Sequence, residues 1–574
     1  MKNKGLMKGL VALTTSVVLS ATFVSDVQAL SFPTTYTNHK KSLKGGTLRV
    51  GYVSDSAFKG VFANELQSDS PTADVAGFGW QDLFKVDKNY RYVKGGLADV
   101  SFDRKEKTAT VKIGKNVNWS DGHPVEAKDF TYTYEVIANK QTDSASYNDQ
   151  VKDIEGMEEY HNGQADHISG VEEKDNKTVV LHYKKMTPDM YFSGSGYIVD
   201  VVEPYHYLKD VPFDQLASSD KVQKHPLFYG PWTMKNIVKG ESIEWVPNKY
   251  YGGPKPKLDK ITVELVATNK AVSALKAHKY DILLKESPGV YNKIKNLKDY
   301  KVLGEKALTY TYLGFKVGHA DKDGNSVMDR KTPVRDRTLR QAMAYAMNTE
   351  QLDKKLYHGI RYRGNTLIPD ALGKWNDHRQ KGYPLNLKKA NNLLDKAGYK
   401  MQKDGYRTLP DGKKFTLRFL YDGDALVARN YMEQWKKIGV KVKLKDDRIQ
   451  NFNTFTEELL NDGKGWDLWM SGWDITGAPT HEAKSYATSS PYNFAHFTTK
   501  ENTALIDSLS SEKAFDQDYQ LKQFYKWQAY MNKEAYVVPR DFEYYTYPVS
   551  KKVKGYTLDP EKSYWVWSNV SLTK

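Results

Sequence analysis

Residues 118–130, NWSDGHPVEAKDF, contain the side chains that acid–base or metal chemistry requires. The stretch holds His123 and three acids, Asp121, Glu126 and Asp129. An imidazole and carboxylates can transfer protons or bind a metal ion. However, His123 has no second His and no Cys at ligand spacing, which argues against a metal site.

The same residues also have a structural explanation. Asp121-Gly122 favours a tight turn, and Pro124 disfavours helix in the residue before it. Glu126 and Asp129 lie near the start of the next segment, where a helix dipole favours negative charge. Beyond them, helical spacing places three apolar side chains on one face: Phe130, Tyr134 and Ile137. We therefore predict a strand–turn–helix corner at this position.

Other catalytic and metal motifs give little support for an enzyme. The chain has no GxSxG nucleophile elbow, no HExxH zinc motif and no P-loop. Residues 319–330, HADKDGNSVMDR, resemble a calcium loop, but His319 and Arg330 occupy positions that need acids, so a polar turn is favoured. A secreted glycan hydrolase with two separated carboxylates stays open as an alternative. We expect no cofactor and no metal.

The first 29 residues have the form of a secretory signal peptide. A basic start is followed by the apolar run 10–24, and small residues precede a cleavage point after Ala29. A retained N-terminal anchor is the alternative. The 574 residues contain no Cys, so disulfides, thiolate metal sites and Cys nucleophiles are excluded, as is a lipid attached through a Cys thiol.

The chain is basic, with a formal net charge of +15. Residues 1–29 carry three lysines and one aspartate, so their removal leaves +13. The lysines are spread along the chain and form no block typical of nucleic-acid binding. We interpret the charge as retention at anionic cell-wall polymers, with a solvated basic surface as the alternative.

Strand and helix patterns alternate along the chain, which is typical of α/β proteins. Alternating apolar residues predict strands at 47–53, 108–113, 178–183, 242–247, 260–267 and 309–317. Helical spacing predicts helices at 334–357, 385–399 and 425–440, the last leading into the strand VKVKL. Residues 30–46 are polar and contain Gly and Pro, which is typical of a linker.

Several segments, in order, resemble the solute-binding proteins of family 5, the extracellular peptide-binding proteins of ABC importers. They are GGTLRVGYVSD, the stretch from LADVSFD to FTYTYE, FYGPWTMKNIVKG with NKYYGG, AVSALKAHKYDI, VRDRTLRQAMAYAMN and DLWMSGWDITGAPT. The resemblance covers almost the whole chain after residue 29 and is strongest to oligopeptide-binding members of Gram-positive bacteria. One departure is Trp232, where the family usually has Tyr.

The resemblance implies a type II, periplasmic-binding-protein-like clamshell with two α/β lobes joined by two crossing segments. Lobe I would comprise residues 30–312 and 546–574, with an extra subdomain at about 75–205, and lobe II residues 313–545. The ligand would lie between the lobes as an added β-strand. Because all peptides share backbone amide and carbonyl groups, such pairing gives affinity without selecting sequence.

The resemblance also implies where the peptide would bind. Gly472, Trp473 and Asp474 would form the lobe II strand, and Ser68, Asp69 and Ser70 the lobe I strand. The remaining residues with an implied peptide contact are Phe452, Thr476, Tyr544 and Tyr545. Trp473 could instead be a core residue, although its indole offers both an apolar face and a donor.

The sequence departs from the family's pattern at the residue that anchors the peptide's amine. Relatives that bind the free amine use an Asp several residues after Gly-Trp, whereas here Asp474 follows Trp473 directly and Thr476 stands nearer the expected position. Asp474 either pairs with the peptide ammonium, or the anchor is absent and the N-terminus is not recognised. A third interpretation makes Asp474 a surface loop charge.

The function implied is a binding protein and no enzyme. It would capture oligopeptides and deliver them to the permease subunits of an ABC importer, as a secreted, wall-associated, unlipidated monomer on a Gram-positive cell that binds no nucleic acid. A peptide-pheromone receptor or a wall-associated adhesion protein of the same fold is the alternative.

Overall fold

The computed structural model of the chain describes residues 30–286 and 288–574. The predicted signal peptide, residues 1–29, lies outside the described residues. In the described range, no helix is both long and apolar enough to cross a membrane.

The β-structure follows the alternating apolar pattern of the sequence. The strands are β1 (Thr47–Val53), β2 (Lys85–Val86), β3 (Tyr92–Val93), β4 (Ala98–Asp103), β5 (Thr108–Ile113), β6 (Val171–Asp175), β7 (Thr178–His182), β8 (Trp232–Val238), β9 (Ser242–Pro247), β10 (Lys260–Val266), β11 (Ile282–Leu284), β12 (Tyr300–Phe315), β13 (His319–Ala320), β14 (Ser326–Val327), β15 (Arg361–Arg363), β16 (Leu417–Leu420), β17 (Val442–Leu444), β18 (Leu468–Asp474), β19 (Val537–Ser550), β20 (Val553–Lys554) and β21 (Ser571–Leu572). Five of the six predicted strands are confirmed to within one residue at each end.

Helices connect these strands and cover the sheets. They are α1 (Ser70–Ala76), α2 (Ala127–Ala138), α3 (Met157–His161), α4 (Tyr205–Leu208), α5 (Asp220–Gln223), α6 (Ala271–Lys276), α7 (Tyr291–Ile294), α8 (Arg337–Ala346), α9 (Thr349–Tyr357), α10 (Leu387–Lys396), α11 (Ala425–Lys436), α12 (Phe452–Leu460), α13 (His481–Lys484), α14 (Lys500–Leu509), α15 (Gln517–Glu534), α16 (Pro560–Ser563) and α17 (Val566–Asn569).

An 11-stranded sheet runs through the structure in the order β17-β16-β18-β12-β19-β11-β1-β10-β9-β8, with β15 also paired to β19. A separate four-stranded sheet, β4-β5-β7-β6, lies within the region predicted as the extra subdomain. Residues Phe32–Lys574 form one compact unit.

The hydrophobic core divides into two large clusters, and β12 and β19 pass through both. Leu303 of β12 and Val549 of β19 belong to the first cluster, built mainly from residues before 305. Leu313 of β12 and Val538 of β19 belong to the second, built mainly from residues 310–542. The β12–β19 ladder shifts register twice between Lys306 and Tyr312, and such irregularities bend a strand. These two strands are the crossing segments between the halves.

The corner at residues 118–130 is confirmed. Asn118 bridges Pro124, and Gly122 has a φ of +100°, which the tight turn requires. Helix α2 follows, and the Asp129 carboxylate accepts hydrogen bonds from the Glu126 backbone N–H at 2.9 Å and from the indole of Trp119 at 3.0 Å. The acids of this stretch therefore hold the corner together.

One predicted helix was wrong, and one predicted strand is longer than expected. The helix predicted at 334–357 is two helices, α8 and α9, because Met347 adopts an extended backbone with ψ of 124°. The strand predicted at 309–317 is the last part of the 16-residue β12, which begins at Tyr300. Residues 319–330 form the β13–β14 hairpin, in which the Asp321 carboxylate accepts backbone hydrogen bonds from Asp323 and Asn325.

Candidate functional site

Strand β18 has one edge that is partly free. It pairs with β12 along its whole length, from Leu468 opposite Phe315 to Asp474 opposite Thr309. On its other side β16 covers only Leu468 and Trp469. Within the described chain, residues 470–474 therefore have no strand partner on that side.

The backbone groups at this edge point outward in a regular pattern. The Ile475 N–H donates to the Leu308 carbonyl at 2.8 Å, which fixes the hydrogen-bonded positions of the β12–β18 ladder. Along an antiparallel strand, the backbone N–H and C=O groups of one residue point toward the partner strand and those of the next residue point away from it. Because the backbone groups of Trp473 point toward β12, the N–H and C=O groups of Gly472 and Asp474 point to the free edge. An extended chain laid there would find donors and acceptors spaced for β-pairing.

The Asp474 side chain is fixed by two hydroxyl groups. Thr309 Oγ1 and Tyr545 Oη, the latter at 3.2 Å, both donate to Asp474 Oδ1. Thr309 and Tyr545 also contact each other at 2.8 Å. The residue is exposed, and Oδ2 has no hydrogen-bond partner in the described structure. One carboxylate oxygen therefore holds the side chain in place while the other remains available.

Lys285 connects this group to helix α1. Its ammonium lies 5.2 Å from the centre of the Tyr545 ring and 3.6 Å from Asp74 Oδ2. Asp74, on α1, also accepts a hydrogen bond of 2.7 Å from Tyr52. Burial, and then the Asp74 charge, raise the pKa of Tyr52 well above its usual value, so this phenol stays protonated. A series of polar contacts thus connects α1 in the first half to β18 in the second.

Ser68, Asp69 and Ser70 do not form a strand, and this prediction of their local structure was wrong. Asp69 caps helix α1 and accepts from the Thr72 N–H at 2.9 Å, while Ser70 is the first helical residue. Asp at an N-cap followed by Pro in the first turn is a strong helix start. Ser68 lies just outside the helix and accepts from Lys59 Nζ at 3.1 Å.

The aromatic candidates lie in different environments. Trp473 packs against the second core cluster and meets Tyr492 edge to face, with ring centres 5.5 Å apart. Phe452 is the first residue of α12 and is 69% exposed. Tyr544 contacts the rings of Phe32 and Tyr362 on the face of β19 opposite to Tyr545. The structure thus brings Asp474 and Tyr545 together, while Trp473 points to the other face of β18, into the second core cluster, and Tyr544 lies apart from Asp474.

Thr476 lies where the two halves touch. A Cβ atom added to Gly194 would lie 3.1 Å from Thr476 Cβ, and one added to Gly477 would collide with Tyr90. Nearby, the buried Asp189 accepts from Thr480 and lies 3.2 Å from Lys484 Nζ. These contacts join the loop after β7, and Tyr90 between β2 and β3, to the segment that follows β18.

Sequence reasoning missed five polar residues of this site and its surroundings: Asp74, Asp189, Lys285, Thr309 and Lys484. Lys285 adopts a φ of +55° directly after β11, and nothing in its neighbours signals that conformation. Its two partners, at positions 74 and 545, come from distant parts of the chain. No periodic pattern reports such contacts, because they depend on the tertiary fold. In the described structure no group of three His, Cys, Asp or Glu residues could hold a metal ion.

Comparisons with known proteins identify the family of this chain. A family model described as "Bacterial extracellular solute-binding proteins, family 5 Middle" matches residues 93–495. The oligopeptide-binding protein OppA of Lactococcus lactis subsp. lactis is 40% identical, with 95% of each chain covered. The oligopeptide-binding protein AppA of Bacillus subtilis is 24% identical over 91% of each chain.

Solved structures show the same fold. Lactococcal OppA, complexed with an endogenous peptide in the closed conformation, superposes with a TM-score of 0.81 at 40% identity and covers 92% of this chain and all of that one. Bacillus subtilis AppA in complex with a nonapeptide gives a TM-score of 0.69 at 21% identity, covering 93% of this chain and all of that one. The predicted two-lobed α/β clamshell is confirmed.

Proposed function

Because this chain belongs to family 5 of the bacterial extracellular solute-binding proteins, we propose that it binds extended oligopeptides along β18 and delivers them to an ABC importer. The oligopeptide-binding relatives cover nearly its whole length, and none of those compared is described as an enzyme. The chain would release its ligand chemically unchanged. Its lobes would comprise residues 30–312 with 546–574, and 313–545.

The free edge of β18 is the observation that carries this proposal. Gly472 and Asp474 present backbone donors and acceptors at a spacing that any peptide backbone matches. Gly472 is exposed and has no side chain to obstruct an approaching strand. Micromolar affinity requires only about 8 kcal/mol, which a few backbone hydrogen bonds and modest apolar burial provide.

We assign Asp474 to the peptide's terminal ammonium, or to a cationic side chain in the same place. Its Oδ1 atom accepts from Thr309 and Tyr545, and its Oδ2 atom has no hydrogen-bond partner among the described residues. A charge-assisted hydrogen bond to this fixed oxygen would be stronger than a neutral one. Trp473 would supply an apolar wall for the neighbouring side chain.

Contacts between the halves support closure around the ligand. Asp189 meets Lys484 and Thr480 at one contact. At another, Arg104 pairs with Glu512 and lies 3.8 Å from the centre of the Phe515 ring. A ligand that touches both halves stabilises the closed state, because it adds contacts that the open state lacks.

Mass spectrometry of the molecules that co-purify with the protein tests the proposal. We expect peptides of mixed sequence, which synthetic peptides then displace intact. A single non-peptide solute, or shortened peptides after incubation, would reject it. Uptake of labelled peptide by cells with and without the chain distinguishes transport from a pheromone-receptor or adhesion role.

We further propose that the mature chain is a secreted, unlipidated monomer held at the cell surface by charge. The sequence has no Cys to carry a lipid, and removal of residues 1–29 from the +15 chain leaves a net charge of +13. Cell-wall polymers are polyanions, and a protein of this charge is attracted to them at low salt. Such retention would keep the loaded protein close to its permease.

A further inference from the structure

A cavity behind helix α1 is separate from the β18 edge. Its volume is 380 Å³, within the range of small-molecule sites. Residues 64–86 and the C-terminal helices α16 and α17 form most of its wall. None of its described lining residues belongs to β12, β18 or β19, so the cavity lies outside the proposed peptide site.

Aromatic side chains dominate the wall of this cavity. The aromatic lining residues are Trp80, Phe84, Tyr564, Trp565 and Trp567. Trp565 and Trp567 are only half-buried. Flat aromatic faces of this kind pack well against the apolar C–H face of a sugar ring, which is otherwise covered with hydroxyl groups.

Three buried donors in the wall have no partner in the described chain. They are the side-chain amide nitrogen of Gln67, the indole N–H of Trp80, a residue that is only 8% exposed, and the hydroxyl of Ser568. Buried polar groups are nearly always paired, and an unpaired one costs about 1–3 kcal/mol. These donors therefore point to an acceptor that occupies the cavity.

The charges of the lining residues indicate whether the ligand that supplies the acceptor is anionic or neutral. Lys and Arg make up 85 of the 574 residues, yet none lies among the described lining residues, where Asp82 is the one charged side chain. An anionic ligand would meet a carboxylate and no cation, which is unfavourable. A neutral molecule whose hydroxyl groups both accept and donate satisfies Gln67, Trp80 and Asp82 together.

We propose that this cavity is a second ligand site, for a neutral saccharide of one or two rings. Its hydroxyl groups accept hydrogen bonds from Gln67 and Trp80 and donate to the Asp82 carboxylate. Trp565 and Trp567 contact its apolar face. The site does not depend on the peptide function and would allow the chain to bind glycan while it carries a peptide.

Filling the cavity tests the proposal. Ala73 lies on α1, lines the cavity and is exposed to it, so Ala73→Phe places a ring in the ligand's space without removing a buried contact. Ala504→Phe, at an exposed position of α14, is the matched control. The saccharide probes are N-acetylglucosamine, its β-1,4-linked disaccharide and maltose, and tetramethylammonium is the non-sugar probe. Calorimetry and saturation-transfer NMR measure the binding of each probe.

We expect the wild-type protein to bind at least one of the saccharides. Affinity should fall at least about tenfold in Ala73→Phe and in Asp82→Asn, and should be unchanged in Ala504→Phe. Peptide titration of each variant shows that it is folded. The proposal is overturned if folded wild-type protein binds no saccharide, if it binds only tetramethylammonium, or if Ala73→Phe binds saccharide normally.

Discussion

The phenol of Tyr545 donates a 3.2 Å hydrogen bond to the carboxylate of Asp474, which joins crossing strand β19 to the free edge of β18. Tyr545 also lies under the Lys285 ammonium, whose other partner, Asp74, is on helix α1. The carboxylate that would meet a ligand is thus connected to both halves of the molecule. A ligand bound at Asp474 would therefore be coupled through these contacts to the strands about which the halves move.

Replacing Asp474 tests its role as the cation anchor. Asp474→Asn keeps the shape and the contacts to Thr309 and Tyr545 but removes the charge. We expect peptides with a free amino terminus to bind about tenfold more weakly, since a charge-assisted hydrogen bond is worth about 1.5–3 kcal/mol. The measurement is calorimetry with each peptide and its N-acetylated form.

The acetylated peptides are the internal control for that experiment. Their affinity for the wild-type protein should already be low and should change little in the variant. An equal loss for both forms would show that Asp474 shapes the site without pairing with the ammonium.

Backbone methylation of the ligand tests pairing with β18. An added strand directs alternate N–H groups toward its partner, so N-methylation at every second residue should remove binding hydrogen bonds and introduce a clash. We expect losses of about tenfold or more at those positions and small changes at the residues between them. A uniform profile along the peptide would contradict β-pairing.

The sequence predicts the strands of this fold well, because apolar alternation is a local property. Thr47–Val53 and Thr108–Ile113 were recognisable from alternation alone. The break between α8 and α9 was not, since Leu339 and Met343 keep helical spacing and only the extended Met347 interrupts the chain.

The candidate site was predictable only where a motif marks it. Gly472, Trp473 and Asp474 stand in a recognisable segment, and their strand was found. Asp69 was assigned to a strand although its own chemistry, an N-cap before Pro71, indicates a helix start. Lys285 reaches Tyr545 across 260 residues of sequence, and such contacts depend on tertiary structure that local patterns do not contain.

The Asp189–Lys484 pair should control closure. Lys484→Met leaves the Asp189 carboxylate buried with Thr480 as its remaining close partner, and an uncompensated buried charge costs about 3–5 kcal/mol. If the pair forms only on closure, peptide affinity should fall by about two orders of magnitude or more. Stopped-flow measurement of peptide dissociation reports this directly.

A double substitution separates charge from packing at this contact. Asp189→Asn combined with Lys484→Met removes both charges and should recover most of the affinity, because no buried ion remains unpaired. Lys500→Met, at an exposed position of α14, is the matched control. A double variant as weak as Lys484→Met alone would show that the ion pair does not act through charge.

Salt should release the protein from intact cells if charge holds it there. The Debye length falls from about 8 Å at physiological ionic strength to about 3 Å at 1 M, which weakens attraction between the mature chain, with its net charge of +13, and a polyanion. We expect the fraction in the wash to rise steadily with sodium chloride concentration. Retention that is the same at 0.1 M and 1 M salt would exclude electrostatic attachment.

Glu286 should make stability depend on pH. Burial raises the pKa of this carboxyl from about 4.5 to about 8, and its close contact is the hydroxyl of Thr546 on β19. Below pH 4.5 the carboxyl is protonated in both the folded and the unfolded chain. As pH rises from 4.5 to 8, the unfolded chain loses the proton while the folded one keeps it, so stability falls through this window.

Glu286→Gln removes this titration while keeping a hydrogen-bonding partner for Thr546. The variant and the wild type should have similar free energies of unfolding near pH 4.5, and the variant should become more stable as pH approaches 8, by on the order of 5 kcal/mol. Urea unfolding at several pH values measures the difference, with Glu561→Gln at an exposed position as the control. Because other titrating groups are common to both proteins, their contributions cancel in the comparison. Parallel stability curves for Glu286→Gln and wild type would show that the buried carboxyl does not retain its proton on folding.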